Sequence, residues 1–527
     1  MAEHSWKELR RYLLLAVPLF LLLAWHSWSD AWRGDFWIYV ATVDELAARP
    51  WNPKNPLVPT GGPFAFVSPY MLALGLVSRW TGLGAFDVLV AQGLLNLLLL
   101  LGALFAFVVA WGGRRGAPFY ALLFLLFLWG RGPWLYSGFF HLESLALVLP
   151  YPSTFAAALA LAVLALHRPL AALGSRAWLA AALPAMTVLW ITHPVNGLFL
   201  GLGLAVASLE APRPRPQLLA LAFASAASLG LALSWPFFPV ADLWFGQAAL
   251  VHEGNTAMYD APITRIAPAL LGVPWLALRL RRRPRDPLAV LGLLLGGLVV
   301  YGGFSGQWSY GRLLSHAVLV LHVALADAVA TLEQRLSRRP LGAVLRPLPA
   351  AALATALIAA SWAPVLRPMI GESGRGDLQW LQFLREHVGR DDVVMADLDD
   401  GWHVPGFSGK VVAYPMALPF TPDQAQRVRT VERFFDRDAQ PDERLAAIQR
   451  HGVAFVLSAK DRRVEGRALT AELRPLGTTV YSSPEYELIR IEADGGLGTV
   501  ASRDSEPGLR PAAPGRERGR GPGGNEP

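Results

Sequence analysis

Between residues 13 and 370 the chain repeats one pattern, an apolar run followed by a short loop that holds arginine. About 20 residues at 1.5 Å each cross the ~30 Å of bilayer hydrocarbon, and many of these runs approach or exceed that length. A soluble domain averages about 25% charged residues. Here 17% of 527 residues are charged and 53% are hydrophobic. The expected fold is therefore mainly α, a polytopic helical membrane protein. The first run follows Lys7, Arg10 and Arg11. Trp25-His26-Ser27-Trp28 offers no small-residue cleavage site, so the run reads as a retained anchor and not as a signal peptide.

Arginine and lysine collect on cytoplasmic loops. Placing the basic loops inside gives about eleven spans, at roughly 12–28, 86–111, 117–133, 153–167, 177–192, 195–210, 217–237, 263–279, 287–303, 312–331 and 348–367. This puts the N-terminus in the cytoplasm and residues 29–85 outside. Within that loop, 64–80 starts at Ser68-Pro69 and carries Arg79. It reads as a helix on the outer membrane surface; as a span it would turn every later arginine cluster outward. Residues 1–369 form the transmembrane domain of a multi-pass plasma-membrane protein. Residues 370–495 form a small extracytoplasmic α/β domain. In it, strands at Val393–Ala396, Val411–Tyr414 and Phe455–Leu457 alternate with helices at 378–384, 422–435 and 442–451. Residues 496–527, rich in Gly, Pro and Arg, are expected to be disordered.

The formal charge of +7 sits in these loops and is a topology signal, so no nucleic-acid partner is expected. The chain has no cysteine, which removes disulfides, a thiolate nucleophile and cysteine metal sites. His252-Glu253 lacks the second histidine of a zinc-protease helix, because position 256 is threonine. No closed transition-metal site assembles from spacing, no cofactor is firmly implied, and a divalent cation is left as an open expectation. Polar side chains gather instead in the outer loops, while the inner loops hold mostly arginine.

Among the outer groups, Asp35 is the principal candidate. It precedes 36–48, an expected amphipathic helix with Phe36, Trp37 and Val40 toward the membrane and Asp44 and Glu45 polar. Tyr39, four residues on, shares its face. An aspartate here can cap the helix, or act at the lipid boundary as the base for an acceptor hydroxyl. Arg312, after Trp308-Ser309-Tyr310-Gly311, stands at the outer mouth of the tenth span. It can clamp a lipid phosphate through two N–H groups or snorkel to headgroups. His316 lies on the same helical face, as a phosphate donor or as a satisfied interior histidine. Tyr310 joins the substrate-binding set. His141 and Glu143 fit a sugar or ion site, or a structural hydrogen bond. His193-Pro194 reads as a capped hairpin turn. Asp399, Asp400 and His403 read as a loop over the membrane site or as a solvated turn, the turn being favoured.

The first loop resembles that of GT-C-fold glycosyltransferases, of the protein mannosyltransferase and aminoarabinose transferase type. The resemblance rests on Asp35-x-x-x-Tyr39, the proline-rich Pro50-Trp51-Asn52-Pro53 and the segment Ser68-Pro69-Tyr70-Met71-Leu72-Ala73-Leu74. The stretch from Trp380-Leu381 to Phe407-Ser408-Gly409-Lys410-Val411-Val412 is similar to the outer domain that follows the last span of such proteins. The resemblance implies a sugar donor carried on a polyprenyl phosphate, attack by an acceptor hydroxyl, inversion at the anomeric carbon, and Asp35 as the first-loop aspartate. Many such loops carry paired acids that hold a divalent cation, but here Phe36 stands beside Asp35. Asp399-Asp400-Gly401-Trp402-His403 lacks the Trp-Trp-Asp motif of oligosaccharyltransferases, which argues against protein N-glycosylation. Two other classes share the topology. A transporter or flippase would favour inverted repeats and mid-span charges, and neither is evident. A non-catalytic relative would bind lipid-linked glycan.

Overall fold

The computed structural model describes residues 2–28, 32, 34–112, 116–211, 214–245, 254–336, 347–367, 369, 381–421, 423–460, 463–464 and 467–492. Expectations placed on Arg114, Arg115, Arg213, His252, Glu253, residues 378–380 and the tail 496–527 lie outside these residues. Seven helices among the described residues are long and apolar enough to cross a membrane: Trp6–Ser27, Ala85–Trp111, Pro152–Ala172, Pro214–Leu233, Pro262–Arg282, Pro287–Ser305 and Trp308–Leu336. They coincide with seven of the eleven expected spans, and the chain is a mainly helical, multi-pass membrane protein.

In chain order the helices are α1 (Ala2–Trp28), α2 (Phe36–Ala48), α3 (Pro69–Thr81), α4 (Ala85–Trp111), α5 (Ala117–Phe127), α6 (Leu142–Val148), α7 (Pro152–Ala172), α8 (Ser175–Thr192), α9 (Pro194–Leu209), α10 (Pro214–Leu233), α11 (Val240–Phe245), α12 (Pro262–Ile266), α13 (Val273–Arg282), α14 (Pro287–Ser305) and α15 (Leu314–Leu336). The expected spans at 117–133 and 195–210 are the 11-residue α5 and the 16-residue α9, and a further apolar helix covers Ala350–Ser361. With its 13 residues, α3 reaches about 20 Å, too short to span. Its start is built locally, with Pro69 in the first turn and the Ser68 hydroxyl accepting from Met71 N.

One expectation about α2 fails. Phe36, Trp37 and Val40 are 2% exposed or less, so no side of α2 faces lipid at these positions. The helix lies inside the protein, with α3 packed along it where Gly75 leaves room for Leu46. Glu45 is buried too, bonded to Arg49 and to the Lys54 backbone.

Beyond the bundle, five strands form one sheet: β1 (Val393–Met395), β2 (Lys410–Val411), β3 (Val453–Ala459), β6 (Thr478–Ser482) and β7 (Tyr486–Arg490), in the order β2-β1-β3-β7-β6. A separate two-stranded ribbon pairs β4 (Arg463–Val464) with β5 (Arg467–Ala468). β1 runs parallel to β2 and β3, and β7 runs antiparallel to β3 and β6. Helices Gln424–Phe434 and Pro441–His451 lie where the pattern put them. The hairpin of β6 and β7 was not anticipated.

The sheet region closes directly on α2, and the chain up to Ile491 forms one compact unit. Val411 N donates to Leu57 O at 2.8 Å, adding the proline-rich loop to the β2 edge. Arg49, Lys54 and Lys410 surround Asp391 at 3.0–3.4 Å. The Arg49 and Lys410 cations hold the Asp391 carboxyl well below the usual carboxylate range, the Arg49 hydrogen bond contributing most. The turn at 399–403 is solvated only at Asp399, which is exposed; Asp400 and His403 pack inward. Asp400 is buried and accepts from Tyr486 Oη at 2.8 Å, and His403 meets Trp37 edge-on.

The closest approach is at Gly406, where an added Cβ would stand 2.7 Å from Trp37 Cε3. Valine there must displace a fully packed indole, a change that costs roughly 1–3 kcal/mol. Gly406→Val is expected to lower the melting temperature and to expose the segment 398–408 to protease. Wild-type melting and digestion would show that the sheet region does not rest on α2.

Candidate functional site

The site forms where the N-terminus of α2 meets the mouth of α15. Gly34 has φ +61, a left-handed conformation that favours glycine, and it turns the chain into α2. Asp35 occupies the N-cap position, but with φ −61 and ψ −13 and no capping hydrogen bond. The cap comes from another element. Tyr151, at the start of α7, accepts from Phe36 N through its hydroxyl at 3.2 Å. The Asp35 carboxylate is thereby released from the structural role that its position suggests.

That carboxylate makes no hydrogen bond to any described residue, and its charged neighbour is Arg312. Asp35 is half-buried: protein packs densely around it, yet part of its surface stays accessible. Burial pushes its pKa above the ordinary aspartate value, and Arg312 pulls it partly back. The Tyr39 phenol lies within electrostatic reach of both, and burial, then Asp35, hold it neutral. Tyr414, just after β2, also lies within reach of Asp35. The sheet region thus brings a side chain close to the α2 N-terminus.

Arg312 lies in the 3-10 turn Trp308–Leu313 that leads into α15. Its Nε donates to Asn255 Oδ1 at 2.7 Å, and its guanidinium lies over the Tyr136 ring at 5.1 Å. These two contacts fix the plane of the fork. Neither Nη group has a hydrogen-bond partner among the described residues. An anchored guanidinium with its open edge beside a carboxylate is arranged to grip an anion.

A buried polar chain runs behind Arg312. His193 Nδ1 lies 2.8 Å from Asn196 Nδ2, and Asn196 Oδ1 lies 2.9 Å from His316 Nε2. His316 Nδ1 is 3.1 Å from Ser315 Oγ, itself 3.0 Å from the Arg312 carbonyl. The two nitrogens of His316 are therefore occupied by protein, and its role is to hold the base of α15.

Three other candidates lie apart from this constellation. His141 has both ring nitrogens engaged, with the Trp134 carbonyl at 2.9 Å and Ser144 N at 3.4 Å, and serves as the N-cap of α6. Glu143 is half-buried in the first turn of α6, and no described interaction joins it to Asp35 or Arg312. Tyr310 packs edge-on against Tyr301 of α14. Spacing could not reveal Asn255, Tyr136 or Tyr414, whose partners are 57, 176 and 379 residues away in sequence. His193 had a visible signal, a lone histidine in an outer hairpin, and it does cap there: its backbone N–H donates to Leu189 O at the end of α8 and it occupies the N-cap position of α9, with no capping bond from the ring.

Among the described residues no group of three histidine or acidic side chains converges. A divalent cation finds no ready ligand set at Asp35.

No protein-family model matches the chain, and no curated protein sequence is similar to it. Solved structures are. The oligosaccharyltransferase of Archaeoglobus fulgidus in its apo form matches with a TM-score of 0.50 at 14% identity, over 85% of this chain and 70% of that one. The same archaeal enzyme in complex with an inhibitory peptide and a dolichol-phosphate matches with a TM-score of 0.50 at 13% identity, over 92% and 75%. The helical bundle with its appended sheet region thus shares its fold with that archaeal oligosaccharyltransferase.

Proposed function

We propose that the protein is a glycosyltransferase that moves a sugar from a polyprenyl-phosphate carrier to an acceptor hydroxyl at the extracytoplasmic face of the membrane. The observation that carries this reading is an uncapped carboxylate, Asp35, within electrostatic reach of a guanidinium, Arg312, whose two Nη groups have no partner among the described residues. The structurally similar archaeal enzyme has been captured with a dolichol-phosphate, a lipid phosphate of the chemistry that such a guanidinium suits.

In this mechanism the acceptor oxygen attacks the anomeric carbon from the face opposite the phosphate. The new C–O bond forms as the bond from carbon to phosphate oxygen breaks. The acceptor proton passes to Asp35, and the bonding pair leaves with the phosphate, which gains a negative charge. Arg312 stabilises that charge as it develops. The configuration inverts. The divalent-cation requirement is read by chelation: turnover lost with a chelator and restored by Mg2+ or Mn2+ would add a metal to the step. A cell-envelope glycan, lipid or protein hydroxyl would serve as acceptor. Peptide N-glycosylation is disfavoured by the stretch Asp399-Asp400-Gly401-Trp402-His403, which lacks a Trp-Trp-Asp motif.

The direct test incubates the purified protein in liposomes with a panel of polyprenyl-phosphate sugars and membrane acceptors, and reads products by mass spectrometry. A donor-dependent product lost in Asp35→Asn supports the reading. Turnover independent of any lipid-linked donor would refute it. Orientation is tested separately. The chain lacks cysteine, so a single introduced cysteine reports alone. Ala425→Cys, on an exposed face of the sheet region, should react with an impermeant maleimide in intact cells, and Arg283→Cys, exposed after α13, should not. The reverse pattern would invert the topology.

A further inference from the structure

His193 is a titratable group within electrostatic reach of Arg312 that this mechanism leaves without a task. It lies between α8 and α9, where its backbone caps the end of α8 and its ring makes no capping bond to α9. Its Nδ1 is tied to Asn196 at 2.8 Å. Its Nε2 has no hydrogen bond among the described residues, yet is not among the polar atoms sealed from water without a partner. The ring is half-buried and close enough to Arg312 for the arginine charge to act on it. A ring anchored at one nitrogen, with the other nitrogen open beside an arginine with two open Nη groups, suits an anion shared between them.

We propose that His193 Nε2 is a second ligand for the donor phosphate, giving a hydrogen bond to an oxygen that Arg312 does not hold. The inference rests on the reading of Arg312 as the phosphate site. An anion at Nε2 selects the tautomer with hydrogen on that nitrogen, which requires Nδ1 to accept. Asn196 Nδ2 supplies the donor, and Asn196 is in turn fixed by His316 through its Oδ1. The polar chain ends at the Arg312 carbonyl, so one network sets the position of both ligands. Burial, then the Arg312 charge, holds the His193 pKa down to about 4. The ring is neutral at physiological pH and contributes a directed donor, with no second full charge next to the arginine. Such a donor leaves the phosphate free to depart with the prenyl chain after transfer, where a second cation would retain it.

The experiment measures binding of undecaprenyl phosphate and of undecaprenol to the detergent-solubilised full chain, so it does not require turnover. His193→Ala should weaken undecaprenyl phosphate binding about tenfold, the size of one hydrogen bond to a charged group, and leave undecaprenol binding unchanged. His193→Gln, whose amide nitrogen reaches the Nε2 position, should recover most of the loss, and His193→Asn, which reaches only to Nδ1, should not. If His193→Ala binds the phosphate like wild type while Arg312→Ala does not, His193 is not a ligand and the Arg312 site stands. If wild type fails to distinguish undecaprenyl phosphate from undecaprenol, the phosphate site falls and this inference falls with it. Equal losses for Ala, Gln and Asn, accompanied by a lower melting temperature, would assign His193 to packing alone and overturn the proposal.

Discussion

Replacing Asp35 with asparagine is expected to lower kcat/KM by about 10²–10⁴, the range supplied by a positioned general base, without loss of folded protein. Asparagine keeps the shape and cannot take the acceptor proton. The usual objection to such a test is that an aspartate before a helix holds the helix, so its loss unfolds the site. Here Tyr151 accepts from Phe36 N, and the Asp35 carboxylate has no capping bond to lose. Stability should move the other way. Burial holds the folded carboxyl's pKa above its unfolded value despite Arg312. The folded state thus binds the proton more tightly than the unfolded state does. That contribution is complete below the unfolded pKa and is lost as pH rises through the folded pKa. At neutral pH the ionised, buried Asp35 is a cost that asparagine removes. The variant should melt at or above the wild-type temperature at pH 7, with the difference shrinking in acid. An inactive variant that also melts far lower would place Asp35 in the scaffold, and full activity would remove it from the mechanism.

The parts legible in the sequence were those with a period. Apolar runs of span length lie on helices, and the short strands at Val393 and Phe455 lie in one sheet. Periodicity shows that a surface is apolar and leaves open what covers it. Trp37 and Val40 suit lipid as well as protein, and only the tertiary contact with Gly406, His403 and Phe407 shows that protein covers them. The site divides in the same way. Asp35 and Arg312 are legible because charge is rare near the membrane. The residues that make them usable are neutral: Tyr151 frees Asp35 by taking its cap, and Asn255 and Tyr136 fix the Arg312 fork. Tyrosine and asparagine are common in outer loops, and their partners are distant in sequence, so nothing in local spacing marks them. The α2 N-terminus also breaks a local rule, an aspartate at an N-cap that does not cap, and such a break is expected where function competes with local preference.

Arg312→Ala should lower kcat by roughly 10²–10³, the loss seen when one preorganised donor to a developing negative charge is removed. It should also weaken binding of a polyprenyl phosphate more than binding of the matching polyprenol. Arg312→Lys separates charge from shape. Lysine restores a cation but not the two-pronged fork or the stacking on Tyr136, so it should recover only part of the loss. A second signature belongs to this residue alone. Arg312 holds the Asp35 pKa lower than burial would leave it. Without the guanidinium the carboxyl becomes harder to ionise, and the fraction able to accept a proton falls at a given pH. The acid limb of the kcat/KM profile should therefore shift to higher pH in Arg312→Ala, and less in Arg312→Lys. An arginine that merely snorkelled to lipid headgroups would shift neither phosphate selectivity nor the acid limb. Because the two side chains act through one charge relation, their effects should also be non-additive. Once Asp35 is asparagine, no carboxyl remains for Arg312 to tune, and Arg312→Ala should cost less in that background than in wild type by the part of its effect that works through the base.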